Sequence, residues 1–448
     1  MSRLAALVSI FARNFTHSPD KPRWVGMEGE FPVVSSNGEA VAYPVISQMY
    51  ALLEQQGFAL KKDADSGKIV YAERAGDIIC TDLGYSTIEI APAPAKDLFA
   101  LNRSLTSLLR PLSQYFAEQD ALILGYGIQP LSPPHRRLIT PKSRYLFFKD
   151  WSANRFVSPE HGYDSDFLGI TASSQTHVDV SRAEAVRVVN VLNGLAGLFI
   201  ILHANSPIWQ GNVDGRSGAM RELLWGQCFP NREEQIGMAA QFTDIKDYVR
   251  QLCAFKMQTV ERNGQSFALP VTGSFFDFFA AESVDGRSVS GESRTLVPAL
   301  EDIVNQAGYA WFNGRLAPKF GTVEARVCCQ QPPGESLCSQ ALVLGLIENL
   351  TAAERLLNRF SWQDWRLLRT DALNQGFSAR MQGESVLPLL AELLEIAANG
   401  LRQRAVGEET FLNPLRERLA DRRSPADRAV LLFQQNGLLG LLNSLSLS

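Results

Sequence analysis

Glutamates that alternate with apolar residues are the most chemically suggestive feature of the sequence. Glu28 and Glu30 lie two positions apart in the stretch GMEGEF. Met27 and Phe31 occupy alternate positions of the same stretch. Side chains two apart on a β-strand share a face, so both carboxylates point to one side and the apolar residues to the other. The stretch predicts a strand with one acidic face and one core face.

Three later segments show the same alternation: 86–91, which carries Glu89; 175–180, which carries His177 and Asp179; and 322–327, which carries Glu324 and Arg326. Any one of them is typical of an antiparallel sheet with a solvated face. If all four strands lie in one sheet, however, their carboxylates repel one another unless cations neutralise them. Hard divalent cations with oxygen ligands, Mg²⁺ or Mn²⁺, are the natural partners.

The same residues indicate a nucleotide as the ligand. Mg²⁺ held by a few carboxylates usually bridges to substrate phosphates. Arg326 shares a predicted face with Glu324, which suits stabilisation of a transferred phosphoryl group. The sequence contains neither a GxxxxGK[ST] stretch nor a kinase-type glycine loop, which argues against a standard P-loop.

Short alternating segments and helical segments must position these side chains. An antiparallel hairpin is predicted from 69–73 and 77–83 around the turn Arg-Ala-Gly. Helical periodicity is clear in three segments, 97–118, 183–202 and 341–359. From Trp362 onward the sequence predicts helices only, with Asn399-Gly400 as a helix stop. The predicted fold is α+β, with an antiparallel-sheet catalytic body over 1–361 and a helical region over 362–448 packed on the same body.

Composition restricts the class of protein. The 448 residues are 46% hydrophobic and 20% charged, with a formal charge of -4, so we expect a soluble protein that does not bind nucleic acid. The start of the chain predicts an amphipathic helix rather than a signal peptide, and the apolar run 188–204 is shorter than the roughly 20 residues of a bilayer helix. We therefore expect a cytoplasmic protein without membrane contact. The six cysteines form no CxxC pair, which argues against structural zinc and leaves a regulatory disulfide open.

Five stretches, in this order, resemble the carboxylate-amine ligase superfamily that includes glutamate-cysteine ligase, and more closely its plant and proteobacterial type. They are GMEGEF, STIEIAPAP, ANSPIWQGNVDGRSGAMRELLW, FGTVEARVCCQQPP and GLRQRAVGEETFLNPLRERLADRRSPAD. The resemblance runs from about residue 24 to about residue 433. It implies a curved antiparallel sheet similar to that of glutamine synthetase and the guanidino kinases, with Mg²⁺ and ATP on the concave face and helices packed behind.

The resemblance also implies roles for individual residues. The implied metal ligands are Glu28, Glu30, Glu89, Glu324 and His177. Arg326 is implied to stabilise the transferred phosphate, with Glu28 as its catalytic partner, and the implied nucleotide contacts are Arg326, Asp179 and Lys319. The implied substrate-binding residues are Arg221, in AMRELLW, and Lys142, Arg144 and Tyr145, whose stretch PKSRY resembles the family's PKGRY.

The reaction implied is phosphorylation of a carboxylate by ATP, followed by attack of an amine on the acyl phosphate. The leading hypothesis is a monomeric or homodimeric ligase that joins the γ-carboxylate of glutamate to the amine of cysteine. THVDV stands where the plant-type enzymes have an Asn-containing strand, so another amino acid or small amine stays open as the acceptor. A non-catalytic nucleotide-binding regulatory protein and a phosphotransferase are the alternatives from other classes.

Overall fold

A nine-stranded sheet organises the fold in the computed structural model, which describes residues 3–230, 232–270 and 273–447. Its strands, in chain order, are β1 (Val25–Ser35), β2 (Ala59–Lys62), β3 (Ile69–Arg74), β4 (Asp77–Thr81), β5 (Thr87–Ala91), β6 (Ala121–Ile123), β7 (Ser174–Asp179), β8 (Gly314–Ala317) and β9 (Thr322–Ala325). The order across the sheet is β8-β9-β7-β1-β5-β4-β3-β2, and β6 pairs with the end of β1. Neighbouring strands are antiparallel throughout.

The predicted hairpin is confirmed as β3 and β4. Ala75 and Gly76 connect the two strands, with φ angles of 52° and 91°. Two consecutive left-handed residues form the tight turn whose twist matches that of the flanking strands. Gly76 adopts this conformation without the steric penalty that a side chain brings.

The four strands predicted to carry acidic faces are neighbours in this sheet, in the order β9-β7-β1-β5. Residues directly opposite each other in antiparallel strands point to the same face. The register pairs Glu324 with His177, Glu28 with Gln175, and Glu30 with Glu89. The pairing therefore brings the acidic faces of the four strands together on one surface.

The other face of the sheet is apolar and fully buried. Met27, Phe31, Ile88, Ile90 and Val178 are each at most 2% exposed. Helix Leu98–Glu118 contributes to the same core through residues at helical spacing: Leu98, Leu101, Leu105, Leu108, Leu112 and Phe116. Its N-terminus is capped by Asp97, whose side chain accepts a hydrogen bond from the amide of Ala100.

The helices surround the core. They are Arg3–Ala12, Tyr43–Gln55, Leu98–Glu118, Ser143–Leu146, Ala185–Gly194, Ala196–His203, Met220–Trp225, Ile245–Ala254, Phe275–Ala280, Asp302–Ala307, Cys338–Glu348, Leu350–Leu357, Trp362–Gln375, Leu387–Gln403, Asn413–Asp421 and Pro425–Leu445. The helices predicted at 183–202 and 341–359 are each divided in two, at Leu195 and at Asn349. Among the described residues, no single helix is long and apolar enough to cross a membrane. The bent pair Ala185–Gly194 and Ala196–His203 passes that test by length and composition, and its residues are largely buried in the core.

Two expectations for the C-terminal quarter are wrong. Helix Leu387–Gln403 continues through Asn399-Gly400, because Gly400 serves helix packing: a Cβ there would lie 2.0 Å from the carbonyl oxygen of Gly345. The region is also not purely helical, since Arg380–Met381 pairs with Glu384–Ser385 around two residues with positive φ. Residues on both sides of 361/362 share one hydrophobic core. The predicted boundary between a catalytic body over 1–361 and a helical region over 362–448 stays a prediction.

A small four-stranded sheet stands beside the main one. Its strands are Thr259–Arg262, Gln265–Ala268, Val284–Arg287 and Ser293–Leu296. Three short two-stranded pairings complete the fold: Ile208–Trp209 with Asn212–Val213, Ile236–Gly237 with Trp311–Phe312, and the C-terminal hairpin above. The small sheet contributes residues to the cavity described next.

Candidate active site

The acidic face of the main sheet forms the floor of a cavity of about 160 Å³, called here the acidic cavity. Its charged lining residues are Glu28, Glu30, Asp82, Glu89, Arg144, Glu261, Arg315 and Arg326. Aromatic side chains, among them Tyr145, Trp225 and Trp311, form part of its walls. The period-two alternation of four strands thus positions carboxylates and guanidinium groups around one space.

Glu28, His177 and Glu324 form a group suited to a cation, called here the imidazole cluster. One possible ligand atom from each lies within 4.8 Å of the others. The Nε2 atom of His177 lies 3.0 Å from Oε1 of Glu28 and 3.9 Å from Oε2 of Glu324. The Nδ1 atom is 3.1 Å from Oγ1 of Thr322, which orients the ring. The buried Nε2 makes no hydrogen bond of good geometry to the described residues, so the cluster fits a shared cation.

The charges of the imidazole cluster balance one another. Burial opposes ionisation of Glu28, but the charge and close contact of His177 outweigh it and hold the pKa of Glu28 below its ordinary value. Burial likewise disfavours the imidazolium, yet Glu28 and Glu324 raise the pKa of His177. For Glu324, the guanidinium groups of Arg315 and Arg326 overcome burial and depress its pKa strongly. The cluster is already compensated by cations of the chain itself.

Glu30, Asp82 and Glu89 form a second group on the same floor, called here the carboxylate cluster. Burial, followed by repulsion from Asp82, raises the pKa of Glu30 to about 8. Burial and repulsion from Glu28 and Asp82 raise the pKa of Glu89, and burial raises that of Asp82. Asp82 lies in the predicted strand 77–83 but is not among the predicted site residues, since Ile78 and Cys80 at the alternate positions give that strand no acidic face; in the structure it follows the end of β4. The raised pKa values show that the local positive charge does not neutralise these carboxylates, which is the environment in which a cation binds.

Gln175 links the second cluster to Arg326. Its Nε2 donates to Oε1 of Glu30 at 2.5 Å, and its Oε1 accepts from Nη1 of Arg326. The backbone amide of Ser173 donates to the other oxygen of Glu30 at 2.6 Å. The same Nη1 of Arg326 also donates to Glu324. Arg326 therefore stands between the two clusters, held by side chains only.

The three residues predicted from PKSRY divide between two places. Arg144 and Tyr145 line the acidic cavity, and Nη2 of Arg144 donates to the Tyr145 hydroxyl at 3.3 Å. Lys142 does not line it: its Nζ donates to the carbonyl oxygen of Thr81 at 2.7 Å, and its charge opposes the rise in the pKa of Glu89. Its predicted substrate contact stays a prediction.

Arg221 lies behind the cavity wall. Its side chain is 3% exposed, and its guanidinium lies 5.8 Å from the ring centroid of Trp225. Nη1 is 3.4 Å from Oε2 of Glu222, while Nε makes no hydrogen bond to the described residues. Its charge lowers the pKa of Glu30, which places it near the floor of the cavity without lining it.

A second, more apolar cavity of about 580 Å³ adjoins the first and is called here the aromatic cavity. Trp24 and Phe320 form exposed parts of its wall, and Glu28 lines both cavities. Asp179 also lines it, but its carboxylate already accepts from the amide of Trp24 at 2.8 Å and contacts His17 Nδ1 at 3.0 Å. Lys319 is exposed, with Nζ 5.2 Å from the Phe320 ring centroid, and does not line the cavity.

Comparisons with known proteins identify the family of the chain. The model of the glutamate-cysteine ligase family 2 matches residues 24–439. The chloroplastic glutamate-cysteine ligase of Medicago truncatula is 24% identical over 425 residues, which cover 92% of this chain and 79% of the relative. The chloroplastic glutamate-cysteine ligase A of Oryza sativa subsp. indica is 24% identical over 77% of this chain and 68% of its own.

Solved structures show the same fold at lower identity. The glutamate-cysteine ligase of Francisella tularensis, crystallised with AMP, superposes with a TM-score of 0.56 at 11% identity over 95% of this chain and 87% of that chain. A bifunctional glutathione synthetase from Pasteurella multocida gives a TM-score of 0.51 at 14% identity, over 99% of this chain and 53% of that chain. The predicted α+β class and the predicted family are confirmed, and the chain belongs to the glutamate-cysteine ligase family 2 as an ATP-using ligase.

Proposed function

We propose that the protein joins the γ-carboxylate of glutamate to the amine of cysteine, with ATP and Mg²⁺, through a γ-glutamyl phosphate. The observation that carries this proposal is the convergence of carboxylates from four neighbouring strands on a cavity that also contains Arg326. A surface of this kind needs cations, and cations bridged to phosphates favour transfer of a phosphoryl group. We place the reaction in the cytoplasm and expect a monomer or a homodimer.

The two cavities suggest how the substrates divide. The aromatic cavity, with Trp24 and Phe320 in its wall, suits a nucleobase, because aromatic rings stack on flat π-systems. The acidic cavity suits the glutamate that is phosphorylated. Glu28 lines both spaces, so the phosphates of ATP would lie at the imidazole cluster, between nucleobase and glutamate.

Each residue then has a distinct task. Glu28, His177 and Glu324 would hold one Mg²⁺, and Glu30, Asp82 and Glu89 would hold a second. Bound Mg²⁺ would screen the repulsion between ATP and the γ-carboxylate. Arg326 stabilises charge on the transferred phosphoryl group from its place between the clusters. Arg144 and Tyr145 orient the carboxylate of the amino acid, and Arg221 adds positive charge near the floor of the cavity.

The acceptor amine must reach the phosphorylated carboxylate inside the acidic cavity. We place the acceptor beside Thr259, Glu261 and Tyr309, which also line the acidic cavity. Cysteine is the acceptor we favour, because the matching relatives are named glutamate-cysteine ligases. Another amino acid or small amine stays the alternative, because these residues do not select a thiol by charge.

The test is a reaction of the purified protein with ATP, Mg²⁺, glutamate and a panel of amines, followed by phosphate release and product mass. We expect γ-glutamylcysteine and one phosphate per amide formed. Glu28→Gln is the inactive control. Equal turnover with amines other than cysteine contradicts the acceptor, while ADP formation without any amide contradicts the ligase chemistry at this site.

A further inference from the structure

Arg315 is a cation in the acidic cavity for which the mechanism above has no task. It lies on β8 directly opposite Glu324 of β9. Its Nε donates to Oε2 of Glu324 at 2.7 Å. Its Nη1 donates to the carbonyl oxygens of Gly308 and Ala310 at 3.2 and 3.4 Å. The guanidinium is therefore fixed at one end by a carboxylate and at the other by the backbone.

Glu324 is the partner that makes this arrangement informative. Its side chain is only 2% exposed, and each of its oxygens accepts from a different guanidinium: Oε1 from Arg326 and Oε2 from Arg315. A buried carboxylate that loses its counter-charge strongly destabilises the folded protein. Loss of both guanidinium groups would therefore leave the buried Glu324 without its two hydrogen-bonded cationic partners.

The two guanidinium groups differ in how they are held. The contacts of Arg326 are side chains, those of Gln175 and Glu324, and side chains can rotate. Arg315 is bound to backbone carbonyls of the segment before β8, which move only with the backbone. Of the two, Arg326 is the one that can leave Glu324.

We propose that Arg315 is a positioning residue: it remains the counter-ion of Glu324, so that Arg326 is free to turn to the transferred phosphoryl group. This rests on the proposed function of Arg326. Without Arg315, Arg326 is the only guanidinium left to donate hydrogen bonds to the buried carboxylate of Glu324. The substrate and the metal still bind, but the phosphoryl group loses its stabilising charge.

The first test is Arg315→Met. We expect kcat to fall by about 10- to 100-fold, the range for loss of a residue that orients a metal ligand or catalytic group. The KM for MgATP should stay within about threefold. Binding of Mn²⁺ to the protein without nucleotide, measured by electron paramagnetic resonance, should be retained or tightened, because a positive charge beside the cluster is removed. Loss of Mn²⁺ binding contradicts the proposal.

A double-mutant cycle with Arg326→Met is the sharper test. In that background Arg315→Met should change kcat by less than about threefold, because no arginine remains to be released. Arg315→Lys should restore part of kcat in the otherwise unchanged protein, since it returns the charge but not the fork of donors. Additive losses in the cycle overturn the proposal.

Arg404→Met is the matched structural control. Arg404 also binds two carboxylates, Glu348 and Glu408, and a backbone carbonyl, that of Lys96, each at 2.6 Å, but it does not line either cavity. It should lower the melting temperature and leave kcat unchanged. If Arg315→Met behaves like Arg404→Met, the role of Arg315 is structural only. A wild-type protein that makes no amide contradicts the proposed function, whereas an active wild type with additive losses contradicts only the role of Arg315.

Discussion

The imidazole cluster and the carboxylate cluster lie on one sheet face but have opposite electrostatic states. In the first, Glu28 and Glu324 have lowered pKa values because cations of the chain stand beside them. In the second, Glu30 and Glu89 have raised pKa values because burial and mutual repulsion dominate. Glu28 and Glu30 lie two residues apart on the same strand and still have different electrostatic environments.

The difference teaches that strand alternation places carboxylates, while neighbouring strands decide their charge state. Glu28 lies on the side of β1 where β7 brings His177 close. Glu30 pairs with Glu89 of β5, and among the described residues its carboxylate accepts from Ser173 and Gln175 but from no cationic side chain. We infer that the first cluster keeps its shape without an external cation, and that the second acquires its full charge when a cation binds.

The largest effect is expected for Glu28→Gln, which should lower kcat/KM by about 100-fold or more, since it removes a charged ligand rather than a supporting contact. The loss has a second component, because His177 is left without its closest carboxylate. Steady-state kinetics over a range of Mg²⁺ concentrations measure it. Glu39→Gln, an exposed glutamate near the end of the same strand, is the control and should match the wild type. Full activity of Glu28→Gln at saturating Mg²⁺ contradicts the cluster as a metal site.

A smaller effect, which distinguishes the two clusters, is expected in the pH dependence of the free energy of unfolding. Because the pKa of Glu30 is raised from 4.5 to about 8, the folded protein without divalent cations binds one more proton than the unfolded chain within this window. Stability must then fall as the pH rises from about 5 to about 8, by at most about 1.4 kcal/mol per pH unit for this group. Urea unfolding in EDTA should show the slope in the wild type and a reduced slope in Glu30→Gln.

Mg²⁺ provides the control for this slope. A bound cation favours the ionised carboxylates, so saturating Mg²⁺ should reduce the fall in stability between about pH 5 and 8. The lowered pKa of Glu28 has its effect outside this window, because its contribution to stability is lost only as the pH falls below the ordinary pKa of 4.5. An unfolding free energy of the EDTA-treated protein that rises between pH 5 and 8, unaltered by Glu30→Gln, contradicts the assignment of the raised pKa to Glu30.

Much of this site follows from the sequence because a period of two is a local property. The faces of Glu28, Glu89, His177 and Glu324 depend only on residues next to them in the chain. The order β9-β7-β1-β5 and the register Glu30 opposite Glu89 depend on pairing between distant segments, which alternation does not specify. The sequence could suggest a shared acidic surface but not its division into two clusters.

Other features were missed for the same reason. Asp82 shares its alternate positions with Ile78 and Cys80 rather than with other carboxylates, and Arg315 lies on a strand of four residues, too short for a clear alternation. The sequence wrongly predicts a helix stop at Gly400, because a glycine that permits close helix approach has the same local sequence as one that ends a helix. Only the packing partner, the backbone at Gly345, distinguishes the two.

Asp82→Asn should weaken cation binding at the carboxylate cluster and leave the imidazole cluster unchanged. We expect the apparent Mg²⁺ affinity in the ligase reaction to fall by about 10-fold, at the low end of the range for residues that support a metal site. The kcat at saturating Mg²⁺ should change little, because Arg326 does not contact Asp82 directly. Mn²⁺ titration of Glu30→Gln and of Asp82→Asn should give similar losses. An effect of Asp82→Asn on kcat alone would assign it to the substrate instead.

The smallest effect is expected at Lys319, beside the imidazole cluster. Phe320 lines the aromatic cavity and meets the His177 ring edge-on at a centroid distance of 6.3 Å, whereas Lys319 is exposed and lines neither cavity. Phe320→Ala should raise the KM for ATP by about 2- to 10-fold, the equivalent of one aromatic contact. Lys319→Ala should change it by less than about twofold, as expected for an exposed charge. Steady-state kinetics with varied ATP test whether the bound nucleotide contacts the Phe320 ring or the Lys319 ammonium group. A larger effect of Lys319→Ala would place the phosphates at the outer rim of the aromatic cavity rather than at Glu28.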